Sequence, residues 1–177
     1  MVTIFFESHA TTVDNEAGLA SGWVDCELSA LGIKQAKEMG ERYQNMNFDA
    51  VFCSDLQRSY RTAEIAFARR SWPIFRDKRL RECDYGEMSR ETSENQEMEK
   101  FNRINQSFPG GESYQQAVWR VGNFLRDLLK KYDGKTVLII GHRATQYGLE
   151  HWVNGAPLKT AVTAPWQWQP GWIYKMK

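Results

Sequence analysis

Short apolar segments alternate with stretches of helical periodicity along this chain, and this alternation constrains its fold more than any other feature. Residues 2–6, 50–53 and 136–140 are short, apolar and rich in β-branched or aromatic side chains, which is typical of buried strands. Between them, apolar residues recur every three or four positions, most clearly from Tyr114 to Tyr132. Strands that alternate with helices predict an α/β layered domain, in which ligands bind where strands end and helices begin.

Local signals predict the remaining elements. Ser29 stands where the N-cap of one helix belongs, and Ser54 or Asp55 stands where the N-cap of the next one belongs. A short strand is expected at residues 72–75, with helices near residues 94–102 and at residues 143–153. The tail, residues 162–176, carries several tryptophans around a Pro-Gly pair and is expected to form a hairpin at a sheet edge.

The size and composition of the chain exclude several classes of protein. Its 177 residues suffice for one domain, which we expect to span residues 1–177. The formal net charge of +1 gives no sign of the basic face that nucleic acid requires. Three cysteines without paired spacing favour a reducing compartment, and the sequence shows neither a signal peptide nor a membrane-spanning apolar stretch. We therefore expect a soluble, cytoplasmic protein that binds neither nucleic acid nor a membrane.

Two of the three histidines directly follow predicted strands. His9 lies just after the first strand, and His142 lies just after the strand at residues 136–140. Arg58 falls in the first turn of the helix after residues 50–53, where a helix N-terminus favours an anion. Because parallel strands end at the same edge of a sheet, these three side chains are expected to meet there. Unrelated polar loop residues and a solvated arginine would give the same pattern, so spacing alone leaves that alternative open.

An ordered set of motifs along nearly the whole chain is similar to that of one known family. The family's first motif, Arg-His-Gly-x-Thr after a strand, is matched by Ser8-His9-Ala10-Thr11-Thr12. Its later motifs are matched, in the family's order, by Asn15, Gly22, Asp25, Leu28, Gly32, Gln35 and Ala36, by residues 54–58, 61–64, 80–86 and 108–113, and by Gly141-His142. Each motif alone is weak, but the ordered set is strong. The chain resembles the histidine phosphatases of the phosphoglycerate mutase-like superfamily.

The resemblance implies a fold, an activity and roles for particular residues. The fold would be a three-layer α/β/α sandwich with a mostly parallel sheet. The activity would be phosphoryl transfer in two steps, with His9 as the nucleophile that becomes a phosphohistidine. Arg58 and His142, the latter protonated or as an N–H donor, would stabilise the transferring group. Glu82 would protonate the leaving alcohol, although without the resemblance it reads more simply as a solvated loop carboxylate.

The sequence departs from the family pattern beside the nucleophile. Ser8 stands where the family has arginine, and Ala10 stands where it has glycine. A charged hydrogen bond is worth about 1.5–3 kcal/mol, so the missing arginine would lower the rate roughly 10- to 100-fold or more. Arg143 is a candidate to restore a guanidinium there, with Arg61 and Arg81 as further candidates, while a surface charge is the alternative role for Arg143. The expected phosphate contacts are Ser8, Asn15 and Arg143, and shaping the loop is the alternative role for Asn15.

The other conspicuous side chains are expected to serve the structure. His151 is not on the helical face of His142 and is expected to be structural or exposed. A packed edge hairpin explains Trp166, Trp168 and Trp172 better than an aromatic ligand cage does. No group of cysteines, histidines and carboxylates has the spacing of metal ligands, so we expect no metal and no cofactor.

Taken together, these features predict a phosphomonoesterase that acts on a small phosphorylated metabolite through a phosphohistidine intermediate. Residues 79–111 are the expected lid over the site and the expected source of its selectivity. Two alternatives stay open. One is a phosphoglycerate mutase-type phosphotransferase, for which the chain is short, and the other is a non-catalytic protein that binds a phosphorylated ligand, which Ser8 suggests. A homodimer also stays open.

Overall fold

A computed structural model of the chain describes residues 1–177, with a five-stranded sheet at its centre. The strands of this sheet are β1 (Val2–Ser8), β3 (Ala50–Cys53), β4 (Ile74–Arg76), β6 (Thr136–Gly141) and β7 (Trp172–Met176), and a separate antiparallel pair is formed by β2 (Leu19–Ala20) and β5 (Glu91–Thr92). The sheet order is β4-β3-β6-β1-β7. Every pairing in the sheet is parallel except the antiparallel pairing of β7 with β1.

Seven α-helices connect and cover the strands. They are α1 (Val13–Glu16), α2 (Ala30–Arg42), α3 (Gln57–Ala66), α4 (Ser93–Glu99), α5 (Tyr114–Lys131), α6 (Arg143–Trp152) and α7 (Leu158–Thr163). None of them combines the length and the apolarity that a bilayer crossing requires.

Alternate residues of the central strand β6 face opposite layers, as strand geometry requires. Val137 and Ile139 pack into an apolar cluster with α5 and α6, whereas Leu138 and Ile140 pack into another with α2 and α3. The sheet is therefore covered on both faces. The expected three-layer α/β/α sandwich with a mostly parallel sheet is confirmed, and the carboxyl ends of β1, β3 and β6 meet at one edge.

Helix α5 shows how the sequence fixes a boundary locally. The Ser113 hydroxyl accepts the backbone N–H of Gln116, and the Gln116 side chain accepts the backbone N–H of Ser113, which forms a capping box. The apolar stripe of the helix then packs on the sheet through Val121, Leu125 and Leu128. The motif at residues 108–113 therefore ends in the N-cap of this helix.

The cap expected for α3 is wrong. Neither Ser54 nor Asp55 supplies it, because the backbone N–H of Gln57 donates to the Asp25 carboxylate at 2.8 Å. Asp55 instead accepts two hydrogen bonds from the Arg81 guanidinium, at 2.7 and 2.6 Å. The carboxylate that caps this helix thus comes from a distant loop, which no local pattern reveals.

The tail is not a hairpin, contrary to the expectation for residues 162–176. It contains the end of α7, an irregular segment at residues 164–171, and the single strand β7. Pro165 and Pro170 remove backbone N–H donors from the segment where a first hairpin strand would lie. The strand β7 pairs instead with β1, with Met176 opposite Val2.

Candidate active site

His9 follows the last residue of β1 and lies at the edge where the strands end. Its Nδ1 atom is 2.8 Å from the carbonyl oxygen of Ala10. A carbonyl only accepts hydrogen bonds, so Nδ1 carries the proton and Nε2 keeps a free lone pair. Burial, and next the positive charge of Arg58, lower the pKa of His9 to about 3. The imidazole is therefore neutral at physiological pH, and its free nitrogen is nucleophilic.

His142 follows β6 at the N-terminus of α6 and faces His9. The centroids of the two rings are 5.0 Å apart. The Nε2 atom of His142 is 2.6 Å from the hydroxyl oxygen of Ser54, and its Nδ1 atom is buried without a partner. Burial, and next the positive charge of Arg58, hold the pKa of His142 well below its usual value. Of the two forms expected from the sequence, the neutral N–H donor is thus favoured over the imidazolium.

Arg58 lies in the first turn of α3 and is almost completely buried. Its guanidinium donates to the backbone carbonyls of Gly22, at 2.7 Å, and Val24, at 3.2 Å. These two bonds fix the orientation of the group and leave further N–H donors of the five unused. A fixed and buried guanidinium of this kind is suited to binding an oxyanion.

Glu82 is held against the N-terminus of α6. One carboxylate oxygen accepts the backbone N–H groups of Cys83, at 2.8 Å, and Ala144, at 3.1 Å, and the other accepts that of Arg143, at 3.2 Å. The carboxylate is mostly buried, so it is not the solvated loop residue of the simpler interpretation. These bonds place it beside the residue that follows His142.

The predicted residues converge on one cavity of about 620 Å³. Its walls include Ser8, His9, Asn15, Arg58, Glu82 and Arg143. His142 does not line the cavity but lies against His9, with the ring centroids 5.0 Å apart. The structure therefore brings together the seven residues selected from the sequence, which come from the end of β1 and from the segments that follow β1, β3, β4 and β6.

The three expected phosphate contacts differ in what else they bind. Ser8 lines the cavity with no side-chain hydrogen bond to the protein. Asn15 also lines it, but its amide oxygen accepts the backbone N–H of Thr12, so the side chain shapes the loop as well. The Arg143 guanidinium pairs with Glu97 at 3.2 Å, and its Nε atom is buried without a partner.

Arg61 and Arg81, the two other arginines expected to place a guanidinium beside Ser8, bind elsewhere. Arg61 pairs with Glu64 on the surface, and Arg81 pairs with Asp55. Neither lines the cavity. Arg42 does line it, and it pairs with Glu7, the residue before Ser8, at 3.0 Å.

The lid and tail contribute residues that sequence reasoning missed. From the lid come Ser93, Gln96, Glu97 and Lys100, and from α6 comes Tyr147. Lys100 is only 5% exposed and donates to Glu97 at 2.6 Å.

Trp166 and Trp168 also line the cavity, so the packed hairpin expected for these tryptophans is wrong. His151, by contrast, lies against Trp119 and bonds the Ala156 carbonyl, as a structural residue would.

A family model and individual relatives both relate the chain to the same family of proteins. The family model of the histidine phosphatase superfamily (branch 1) matches residues 4–169. Phosphoserine phosphatase 1 of Hydrogenobacter thermophilus is 33% identical over 152 residues, which are 80% of this chain and 71% of that protein. A protein of Salmonella choleraesuis named "Probable phosphoglycerate mutase GpmB" is 32% identical over 150 residues, 80% of this chain and 70% of that protein.

A solved structure shows the same fold at lower identity. YhfR of Bacillus stearothermophilus superposes with a TM-score of 0.87 at 24% identity, covering 98% of this chain and 90% of that one. The family match spans the strand ends that build the cavity and the residues that line it. The chain therefore belongs to the histidine phosphatase superfamily, branch 1, and is an enzyme of this phosphoglycerate mutase-like class.

Proposed function

We propose that this enzyme hydrolyses a small phosphorylated metabolite through a phospho-His9 intermediate. The observation that carries the proposal is the state of His9, whose Nδ1–H is held by the Ala10 carbonyl and whose Nε2 is free. A neutral imidazole nitrogen with a buried guanidinium nearby is the combination that nucleophilic phosphoryl transfer needs. A relative that is 33% identical and named as a phosphatase supports the hydrolysis of a phosphate ester.

In the first step, His9 Nε2 attacks phosphorus and the bond from phosphorus to the ester oxygen breaks. Glu82 gives its proton to the departing alkoxide, so the alcohol leaves neutral. The products of the step are the free alcohol and phospho-His9.

In the second step, water attacks the phosphorus of phospho-His9 and the phosphorus–nitrogen bond breaks. Glu82 takes the proton from the water, which returns the carboxyl to its starting form. Arg58 and the His142 N–H stabilise the oxygens that carry charge in both steps. Inorganic phosphate then leaves, and His9 is again neutral.

The lid, residues 79–111, would give the enzyme its selectivity. It closes one side of the cavity with Gln96, Glu97 and Lys100, while His9 and Arg58 lie where strands end. The cavity volume of about 620 Å³ suits a small metabolite. We expect the alcohol half of the ester to contact these lid side chains.

Turnover of p-nitrophenyl phosphate and of a panel of phosphorylated metabolites tests the proposal. Release of inorganic phosphate is expected, and it should fall to the uncatalysed background in His9→Ala, because that variant has no nucleophile. Unchanged turnover in His9→Ala would refute the mechanism. Phosphate binding without turnover of any ester would support a non-catalytic protein instead.

A phosphoglycerate mutase-type phosphotransferase is the second candidate function. Two further cations beside the phosphoryl site, Lys100 and Arg143, favour it because a mutase must hold a second anionic group. The Salmonella relative supports it by name. The same assay separates the two activities, since a mutase passes the phosphoryl group to an acceptor alcohol and releases little inorganic phosphate.

A further inference from the structure

Glu7 is a buried carboxylate that the proposed mechanism does not use. Its side chain is 1% exposed, although it lines the cavity two residues before His9. One oxygen, Oε1, accepts hydrogen bonds from Arg42 at 3.0 Å and from the Tyr43 hydroxyl at 2.7 Å. The other oxygen, Oε2, is buried and has no hydrogen-bond partner in the protein.

A half-satisfied carboxylate is costly at this place in the fold. Burying a charged oxygen without a hydrogen bond is unfavourable, and Phe5, two residues earlier on the same face of β1, shows that an apolar side chain packs there. Arg42 offsets the negative charge of Glu7 but leaves Oε2 without a hydrogen-bond partner. The adjacent phosphoryl group would also repel the carboxylate. Oε2 therefore makes no hydrogen bond that would stabilise the fold, and a bound ligand is the remaining partner for it.

The surroundings of Glu7 are rich in hydrogen-bond acceptors. This α2 side of the cavity is lined by Glu7, Gln35, Glu38, Met39 and Arg42. The Gln35 side-chain oxygen already accepts the backbone N–H of Thr11, and Arg42 donates to Glu7. Two carboxylates therefore face one guanidinium, and such a surface suits a hydrogen-bond donor better than a further anion.

The position of Glu7 fits the alcohol half of a bound ester. The His9 N–H continues the ladder between β1 and β6 by donating to the Gly141 carbonyl at 3.0 Å, so Glu7 and His9 lie on one face about 7 Å apart. An ester of a few carbons bound at His9 spans that distance. The end of the tail packs against Glu7, because a Cβ on Gly171 would lie 3.2 Å from Glu7 Oε1 and 2.7 Å from the Tyr43 hydroxyl oxygen. Glu7 and the proposed nucleophile therefore line the same cavity, with the tail beside Glu7.

We propose that Glu7 determines substrate specificity, with Oε2 accepting a hydrogen bond from a hydroxyl or ammonium group on the alcohol half of the phosphomonoester. The inference rests on the proposed function, because it assumes that an ester binds with its phosphoryl group at His9. A charge-assisted hydrogen bond exceeds a neutral one by enough to give a preference of about tenfold.

Equilibrium binding tests this role without relying on turnover. In the His9→Ala background, propyl phosphate, glycerol 3-phosphate and 3-aminopropyl phosphate are titrated by tryptophan fluorescence, which the cavity residues Trp166 and Trp168 make sensitive to ligands. The three esters share a three-carbon chain and differ in their donors. At least one donor-bearing ester is expected to bind about tenfold more tightly than propyl phosphate, and the ester that does so identifies the donor.

The isosteric variant Glu7→Gln is then expected to reduce this preference by about tenfold if the donor is an ammonium group, and less if it is a hydroxyl. The matched control Glu41→Gln, an exposed residue of α2, should keep the preference. Equal binding of the three esters before mutation, or an unchanged preference in Glu7→Gln, would overturn the inference. Turnover with no donor preference would leave the phosphatase proposal intact, whereas a donor preference without turnover would leave only this inference standing.

Discussion

The proposed phosphoryl site contains two imidazoles that stay neutral beside a buried guanidinium. Burial and the charge of Arg58 both disfavour protonation of His9 and of His142. The proposed nucleophile therefore keeps its lone pair over a wide pH range. Arg58 is the arginine of the cavity wall whose guanidinium is fixed by backbone carbonyls.

Ser8→Arg should increase activity. A guanidinium at this position adds a charged hydrogen bond to the transferring phosphoryl group, worth about 1.5–3 kcal/mol, so kcat/KM for p-nitrophenyl phosphate should rise roughly 10- to 100-fold. Ser8→Met, similar in length but uncharged, is the control and should give no gain. No increase in Ser8→Arg would mean that another group, with Arg143 or Arg42 the nearest candidates, already supplies this contact.

Glu82→Gln should impair esters of poor leaving groups selectively. An alkyl alkoxide needs a proton to leave, so kcat for an alkyl phosphate should fall about 10²- to 10⁴-fold. p-Nitrophenolate leaves without a proton, and its release should suffer much less. Comparable losses for both substrates would show that Glu82 holds the N-terminus of α6 rather than transferring a proton.

At the residue scale, the sequence predicts which residues form the centre of the site, but not which residues surround them. His9, Arg58 and His142 each follow a strand directly, and the end of a parallel sheet brings such positions together regardless of the loops between them. The free oxygen of Glu7 could not be predicted in this way. Its environment is made by Arg42, by Tyr43 and by the end of the tail, and no local pattern links these segments.

At the scale of elements, two motifs that are distant in sequence form the base of the lid. Gly86 closes the motif at residues 80–86, and Pro109 and Gly111 belong to the motif at residues 108–113. A Cβ on Gly86 would lie 2.1 Å from the Pro109 carbonyl oxygen, and a Cβ on Gly111 would lie 2.2 Å from that of Asp84. The two backbones therefore touch, and only glycine permits this contact.

Gly86→Ala should destabilise the protein more than a positive φ alone explains. Its φ of +51° costs an alanine about 1–2 kcal/mol, and the clash with Pro109 should add roughly 1–3 kcal/mol. Gly134→Ala is the matched control, because its φ is +76° but nothing lies within 4 Å of the added Cβ. Urea denaturation measures both, and equal losses of stability would argue against close packing at the lid base.

Element types were predicted more reliably than their partners. The helical stripe of α5 and the apolar run of β6 are encoded locally, so both were expected almost at their observed bounds. The tail was misassigned because β7 pairs with the first strand of the chain, at the far end of the sequence. The cap of α3 was missed for the same reason, since Asp25 reaches it from another loop.

At the scale of the whole molecule, the enzyme's charge is balanced within its cavity. Four carboxylates and four cationic side chains line it, namely Glu7, Glu38, Glu82 and Glu97 with Arg42, Arg58, Lys100 and Arg143. In the proposed function, a dianionic ester would therefore be bound by the local placement of Arg58 rather than by a uniformly positive surface. The whole chain is similarly balanced, with a formal net charge of +1.

Stability should fall as the pH drops from about 7 to about 5. Unfolded histidines bind protons near their ordinary pKa of 6.5, whereas folded His9, with a pKa of about 3, and His142 do not. The unfolded chain thus holds more protons in this window, and the free energy of unfolding must decrease as pH falls. Glu7, whose pKa is raised by burial, acts in the opposite direction above 4.5.

Chemical denaturation at several pH values measures this dependence, and His9→Gln isolates one contribution. The variant should show a shallower loss of stability between pH 7 and pH 5 than the unmodified protein, because one fewer imidazole takes up a proton on unfolding. The same slope in both proteins would mean that His9 titrates normally in the folded state.

The central claim is that His9 carries the phosphoryl group during turnover. The most direct test is to quench the enzyme in alkali during steady-state hydrolysis and to map the phosphorylated peptide by mass spectrometry. We predict one phosphoryl group on His9, stable in alkali and lost in acid, that is absent in His9→Ala. Turnover without a phosphorylated His9, or a phosphoryl group that persists in His9→Ala, would contradict the claim.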